Sequence, residues 1–316
     1  MFSSKQDLAE RLAAARYVID WELIEVAYLA SQMNKPLLVE GPAGSGKTEL
    51  AYALAKAAGS QVERLQCYEG IDGAAAIGSF DQGLQKLFLE TQNVNSKPDW
   101  PSLRQALHTL EFFVAGPLLR ALLFEEPPCV LLIDELDKVD PAFEALLLEV
   151  LSAWQLSIPK LGTVKARTIP FVVLTSNEER RIGDPLRRRC FYVRFEYPST
   201  EREIQILGCR ASDCGLEVRR HTAAFARALR SLSLSKPPSI SEILEMAQVM
   251  ELLGITEVAP VLRNVLLPVL VKTESDRRLL MIDDQWESLI YDTKKYLEGM
   301  LVLEKEQCPV STEFRG

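Results

Sequence analysis

Strands alternating with helices over the first two thirds of the chain, then helices alone, predict an α/β fold. The expected form is a parallel sheet flanked by helices, followed by a smaller all-helical domain. Three observations carry this. Short apolar runs recur at residues 36–40, 63–67, 129–133, 171–175 and 192–195, with helical spacing between them, the pattern of a buried parallel sheet. A glycine-rich turn joins the first run to an Ala-rich helical pattern at 49–58. Beyond Pro198 the strand pattern stops, and helical spacing continues at 201–211, 218–231, 240–253 and 258–271. A chain of 316 residues has room for about two domains that each bury a core.

Taken in order, residues 5–30 place Leu8, Leu12, Ala15 and Val18, then Ile24, Ala27 and Leu29, at helical spacing. Two helices are therefore expected before the first strand. A last amphipathic stretch at 284–305 sets Trp286, Leu289, Ile290 and Tyr296 on one face. It reads as a helix docking on its own domain, with a partner-binding helix as the alternative. Residues 92–104, long and polar around Trp100, read as a loop that either faces a partner or simply covers the surface.

Composition excludes several classes. An apolar fraction of 47% with 25% charged residues is a globular balance. A formal charge of −8 argues against bulk attraction to nucleic acid or anionic lipid. The apolar stretches 112–124 and 258–271 are interrupted by Arg120 and Arg263 and fall short of the roughly 20 residues that span a bilayer. The opening Met-Phe-Ser-Ser-Lys-Gln-Asp lacks the apolar core of a signal peptide, so a cytoplasmic location is expected. Cys67, Cys129 and Cys190 lie in or beside predicted strands, where a free thiol acts as a small hydrophobe. Cys209 and Cys214 lack the spacing of a zinc or redox pair, and His108 and His221 are far apart, so no metal cluster of these residues is expected.

Gly41-Pro42-Ala43-Gly44-Ser45-Gly46-Lys47-Thr48 reads G-x-x-x-x-G-K-T between a strand and a helix. That context marks a phosphate cradle: glycines let backbone N–H groups turn around a polyphosphate at a helix N-terminus. Lys47 is suited to the outer phosphates, and the Thr48 hydroxyl to Mg²⁺. A second motif, Cys129-Val-Leu-Leu-Ile133-Asp134-Glu135, ends a buried strand in two carboxylates. Asp134 is suited to hold Mg²⁺ through water, and Glu135 to orient and deprotonate an attacking water. The pair points to hydrolysis of a nucleoside triphosphate. GTP is disfavoured because no N-K-x-D base-reading motif is present. Asn177, ending Phe171-Val-Val-Leu-Thr-Ser-Asn177, can help place the water or merely cap the turn. Arg187-Arg188-Arg189 is either a solvated charge run, a nucleic-acid patch, or a source of an arginine that reaches a neighbouring subunit's nucleotide.

Together these residues resemble the AAA+ ATPases. Gly41 to Thr48 corresponds to Walker A, Val130 to Glu135 to Walker B, Asn177 to sensor 1, and Arg189 or Arg188 to the arginine finger. Ile71-Asp-Gly with Gly78, and later Gly116-Pro-Leu-Leu, resemble the helix-2 insert of the MoxR branch; residues 153–169 resemble its hairpin before sensor 1. Arg64-Leu-Gln-Cys-Tyr-Glu-Gly70, Ile158-Pro-Lys-Leu-Gly-Thr-Val-Lys-Ala-Arg167 and Lys236-Pro-Pro238 look closest to the CoxD-like subgroup. One departure stands out: where such lids carry a sensor 2 arginine, this chain has Lys236-Pro-Pro-Ser-Ile240.

The resemblance implies a nucleotide-binding domain over 1–198, with the insert at about 70–116, a helical lid at 199–272 and a C-terminal helical extension at 273–316. It implies ATP and Mg²⁺ as ligands and a homo-oligomeric ring, often hexameric, with active sites between subunits. It further implies work on a client protein, often with a von Willebrand factor A domain partner, and in several cases maturation of a metalloenzyme. A nucleic-acid motor and a slow nucleotide-gated scaffold are the alternatives.

Overall fold

The computed structural model describes residues 1–91 and 100–307, with side chains to residue 300. The chain divides into two compact units, Met1–Pro42 with Gly46–Glu196, and Ala43–Ser45 with the residues from Tyr197 onward.

The first unit opens with α1 (Lys5–Ala14) and α2 (Trp21–Gln32), then β1 (Leu37–Glu40), α3 (Lys47–Ala58) and β2 (Val62–Gln66). An excursion follows: α4 (Gly73–Ile77), β3 (Gly78–Phe80), α5 (Gln82–Thr91), α6 (Trp100–Leu107), β4 (Phe113–Ala115) and α7 (Pro117–Leu123). The chain returns through β5 (Val130–Asp134), α8 (Pro141–Ala153), the β6 (Gln155–Ile158) and β7 (Gly162–Lys165) hairpin, β8 (Phe171–Ser176), α9 (Asp184–Arg187) and β9 (Phe191–Arg194).

Five strands form one sheet in the order β2-β5-β8-β1-β9, every pairing parallel. Successive side chains point to opposite faces, so one strand feeds two cores. Leu37, Val39, Val130, Leu132, Phe171 and Val173 pack with Leu8, Leu12, Leu50 and Leu54 of α1 and α3. Their neighbours Leu38, Leu131, Ile133, Val172 and Leu174 pack on the other face with Leu118 and Leu122 of α7 and Phe143 and Leu147 of α8. This double burial explains why the inner strands β1, β5 and β8 read as apolar runs, whereas the edge strands β2 and β9 carry exposed polar residues.

The hairpin expected at 153–169 is present, with Ile158 paired to Gly162 across its turn. The excursion holds a second small sheet, β3 antiparallel to β4, that the pattern did not reveal. Three-residue strands are too short for a period of two to register. Of the expected polar loop at 92–104, residues 92–99 lie outside the described residues, and Trp100, 69% exposed, opens the helix α6 in place of loop. The sheet pairings and the parallel α/β organisation agree with the fold expected from the sequence.

The second unit is helical among its described residues: α10 (Thr200–Arg210), α11 (Leu216–Ser231), α12 (Ile240–Leu252), α13 (Arg263–Leu270), α14 (Glu274–Leu280) and α15 (Asp283–Gln307). Ser239 and Glu242 close a capping box on α12, satisfying two N–H groups at the helix start. The single helix expected at 258–271 is instead a 3-10 turn, Pro260–Leu262, leading into α13. Thr273 then caps α14, a short helix with no periodic segment of its own in the sequence, by accepting from the Asp276 N–H. α15 docks on its own unit: Trp286 and Leu289 are buried, and the Trp286 ring meets Phe225 of α11 edge-on at 5.7 Å. In the same unit, the buried Glu203 pairs with the partly buried Arg230 at 2.7 Å. Desolvation raises the Glu203 carboxyl against the pull of Arg230. No helix among the described residues is long and apolar enough to cross a membrane.

Candidate functional site

Polar side chains gather at the carboxyl ends of β1, β5 and β8, where a parallel α/β sheet leaves its ligand crevice. Gly41 makes the exit from β1 possible. Its φ is +146°, and a Cβ built there would lie 2.1 Å from the Phe195 carbonyl oxygen. Gly46, at φ +93°, ends the loop directly before α3. Lys47 and Thr48 are thus the first residues of that helix. Between the glycines, Pro42 is half-buried, Ala43 and Gly44 are exposed, and Ser45 is buried with no partner for its Oγ.

Lys47 is 5% exposed, and its Nζ donates to the carbonyls of Gly41 at 2.8 Å and Pro42 at 2.7 Å. Burial lowers its pKa, opposed by the charges of Asp137, Asp134, Glu178 and Glu135. Four carboxylates around one lysine make the crevice a place where a cation is held ready and an anion must be received by that cation. Lys47 is the group equipped for a polyphosphate.

Asp134, at the end of β5, is almost fully buried and satisfied on both oxygens. Its Oδ1 accepts from Thr48 Oγ1 at 2.9 Å and Thr175 Oγ1 at 2.6 Å, and its Oδ2 from Arg64 Nη2 at 2.6 Å. A hydroxyl and a carboxylate from separate elements, in contact and with oxygen donors only, fit a hard divalent cation such as Mg²⁺. Glu135 follows in the left-handed region, φ +58° and ψ +47°. Its N–H donates to Thr175 Oγ1 at 3.0 Å, and its carboxylate pairs with Lys138 at 2.7 Å. The two carboxylates therefore diverge from adjacent residues.

Asn177 follows β8. Its N–H donates to Asp137 Oδ2 at 3.0 Å, as does that of Glu179, also at 3.0 Å. Its half-buried side-chain amide has no hydrogen-bond partner among the described residues. The backbone is thus held by Asp137 while the amide is free to reach a ligand. Asp137 itself is buried, with Oδ1 unpartnered.

The arginines of 180–194 separate by their partners. Arg180 pairs with Glu144, Arg181 with Asp184 at 2.8 Å, Arg187 with the buried Glu40 at 2.6 Å, and Arg194 with Glu178 at 3.0 Å. Arg187 also stacks over Tyr192, 4.9 Å from the ring centre. Among the described residues Arg189 reaches only the Ser152 hydroxyl at 2.9 Å and the Pro185 carbonyl at 3.2 Å. Arg188 is exposed and has no carboxylate partner among the described residues. In the helical unit, Lys236 is exposed, with its N–H on Asp276, and Arg230 is committed to Glu203 and the Pro238 carbonyl.

The structure thus brings Gly41, Pro42, Gly46, Lys47, Thr48, Asp134, Glu135 and Asn177 to one end of the sheet; Arg188 and Arg189 follow α9, and among the described residues neither bonds to any of these. Sequence reasoning missed the supporting residues Arg64, Asp137, Lys138, Thr175 and Glu40. Of these only Asp137, three residues after Asp134 in the motif, carried a local signal.

The chain is 24% identical over 267 residues to an uncharacterized protein of Staphylococcus epidermidis, covering 82% of this chain and 92% of that protein. It is 24% identical over 254 residues to one of Staphylococcus aureus, covering 78% and 87%. Among solved structures it is similar to a putative ATPase from Cytophaga hutchinsonii (TM-score 0.47, 14% identity, 91% of this chain and 94% of that one). It is also similar to the Thermotoga maritima RuvB Holliday junction branch migration motor (TM-score 0.46, 16% identity, 88% and 74%). Residues 37–199, more than half of the chain, match the ATPase family associated with various cellular activities. With that match spanning the strands and the loop that build the site, the chain belongs to the AAA family of ATPases.

Proposed function

We propose that this chain is a MoxR-type AAA+ ATPase that hydrolyses ATP to remodel or activate a client protein, working as a ring, often hexameric in this branch. One observation carries the chemical part: Thr48 of the glycine-loop helix and Asp134 of β5 meet at 2.9 Å, with Glu135 next in the chain. Thr48 and Asp134 would hold Mg²⁺, whose charge offsets that of the phosphates. Lys47 leaves the Gly41 and Pro42 carbonyls to take the phosphates of ATP. Glu135 exchanges Lys138 for a water and accepts its proton, a role for which a partly exposed carboxylate is suited. The free amide of Asn177 orients that water or the terminal phosphate.

Arg188 and Arg189 are assigned as the candidates for a finger reaching the neighbouring subunit's nucleotide, because the other arginines of the run are neutralised within the chain. The same pairing weakens the reading as a nucleic-acid motor, since three of the five positive charges at positions 180–189 already face carboxylates. A slow nucleotide-gated scaffold is the weaker reading as well, because Glu135 and Asn177 serve turnover. The client assignment rests on the resemblance: a von Willebrand factor A domain partner and a metalloenzyme, in the cytoplasm.

The test is a trap. Glu135→Gln, purified from its native host with ATP and magnesium and split into nuclease-treated and untreated halves, is expected to retain ATP and a protein partner in both. Nucleic acid as the main companion, lost with nuclease, would replace the remodelling assignment with the motor.

A further inference from the structure

The acidic groups at the carboxyl end of the sheet each have a separate basic or N–H partner. Glu40 has Arg187, Glu135 has Lys138, Glu178 has Arg194, and Asp137 has the Asn177 and Glu179 amides. Asp134 has Arg64, and this pair differs from the others in its placement. Asp134 is the buried member, with its side chain 3% exposed, and Arg64 is the accessible one at 44%. Arg64 projects from β2, an edge strand of the sheet, two residues before Gln66, which lies in register with Asp134. The guanidinium also bonds the Gln66 side-chain oxygen.

A buried carboxylate left without a counter-charge is costly, commonly by several kcal/mol. Thr48 and Thr175 supply neutral donors to Oδ1, so among the described residues the positive charge bonded to Asp134 is the one on Oδ2, with Lys47 acting on it only through space. We propose that Arg64 is a positioning residue that serves as a built-in stand-in for the divalent cation: it neutralises Asp134 in the nucleotide-free protein and is displaced when the metal–nucleotide complex binds. This rests on the reading of Asp134 as a metal-holding group. Its exposed, unbranched stem on an edge strand lets it swing into solvent without disturbing the core. Divalent-ion affinity is then a competition, and the arginine sets how much free metal the site demands. Arg64 also prevents Asp134 from attracting an isolated cation in the absence of nucleotide, because the ion must arrive with phosphates to win the exchange.

Mn²⁺ serves as the probe, its free concentration read by electron paramagnetic resonance in the presence of excess full-length protein and a non-hydrolysable ATP analogue. Arg64→Gln is expected to tighten Mn²⁺ binding roughly tenfold, as for loss of one charge-assisted bond that competes with the ion. Arg64→Lys, which keeps the charge, is expected to stay within about threefold of the parent. Analogue affinity without divalent ions, followed with a fluorescent derivative, is expected to be unchanged in Arg64→Lys and weakened in Arg64→Gln, where the Asp134 charge is left facing the phosphates; a cooperative unfolding transition verifies that both variants fold. Unchanged or weakened Mn²⁺ binding in Arg64→Gln would overturn the stand-in. Asp134→Asn separates the two ideas: it is expected to abolish high-affinity Mn²⁺ binding in the parent and Arg64→Gln backgrounds alike. Mn²⁺ affinity indifferent to Asp134→Asn would remove the metal reading itself.

Discussion

The two ends of the same strands follow opposite rules. At their amino ends β1, β5 and β8 begin with Leu37, Val130 and Phe171, apolar and buried. At their carboxyl ends the same strands finish in Glu40, Asp134, Thr175 and Ser176, polar and just as buried. One end is held by area removed from water, which is non-directional. The other is held by a mesh of bonds in which each buried group must find a specific partner. The difference teaches where stability and chemistry divide: the apolar half fixes the sheet, and the polar half gathers the groups that the proposed chemistry would draw on.

The comparison breaks most severely at Glu135. Glu135→Gln is expected to lower kcat by about 10²–10⁴, the usual contribution of a general base, with ATP affinity retained; phosphate release and equilibrium binding check both halves. Next comes the apolar half. Leu131→Ala, at a fully buried position, is expected to cost about 2–5 kcal/mol in denaturant unfolding, while the surviving folded protein binds nucleotide normally. Asp137→Asn sharpens the polar half. Loss of the charge that accepts two amides is expected to cost about 1–3 kcal/mol and to depress turnover more than ATP affinity, since it loosens the loop that carries Asn177.

The smallest effect concerns His221 in the helical unit. Its Nε2 accepts from the Val258 N–H at 3.0 Å, and burial lowers its pKa below the ordinary 6.5; Glu257 opposes that shift and Lys294 adds to it. A lowered folded pKa means that the unfolded chain takes the proton first. The stabilisation is therefore present above about pH 6.5 and is lost as pH falls through the folded value. Melting temperatures measured from pH 7.5 down to 5 are expected to decline, and His221→Gln, which can still accept from Val258, is expected to flatten that slope.

Much of this was legible in the sequence for a physical reason. Strands buried on both faces read as apolar runs, and the residue that ends such a run marks the crevice: Asp134 after Val130 to Ile133, and Asn177 after the run that starts at Phe171. The glycine loop was legible because its chemistry is contiguous. What was illegible is non-local. Glu40 and Arg187 lie 147 residues apart, and nothing in either neighbourhood announces the other. Arg64 read only as part of a subgroup phrase, and its bond to Asp134 exists only because β2 and β5 pair. In the helical unit, α14 had no separate signal because five of its seven residues are polar or charged and its two leucines, Leu279 and Leu280, are adjacent and set no helical stripe; its Thr273 cap, a local feature, was the available cue.

Glu135 carries a constraint of another kind. At φ +58° a side chain branched at Cβ collides with its own backbone, while Asn, Asp or Gly settles there at little cost. The position therefore sorts its replacements twice, first by the shape of the peptide and then by the chemistry of the tip. In a library randomised at residue 135 and selected for solubility alone, Val, Ile and Thr would already be depleted before any selection for turnover was imposed. Asn and Gly would persist as well-folded, inactive survivors.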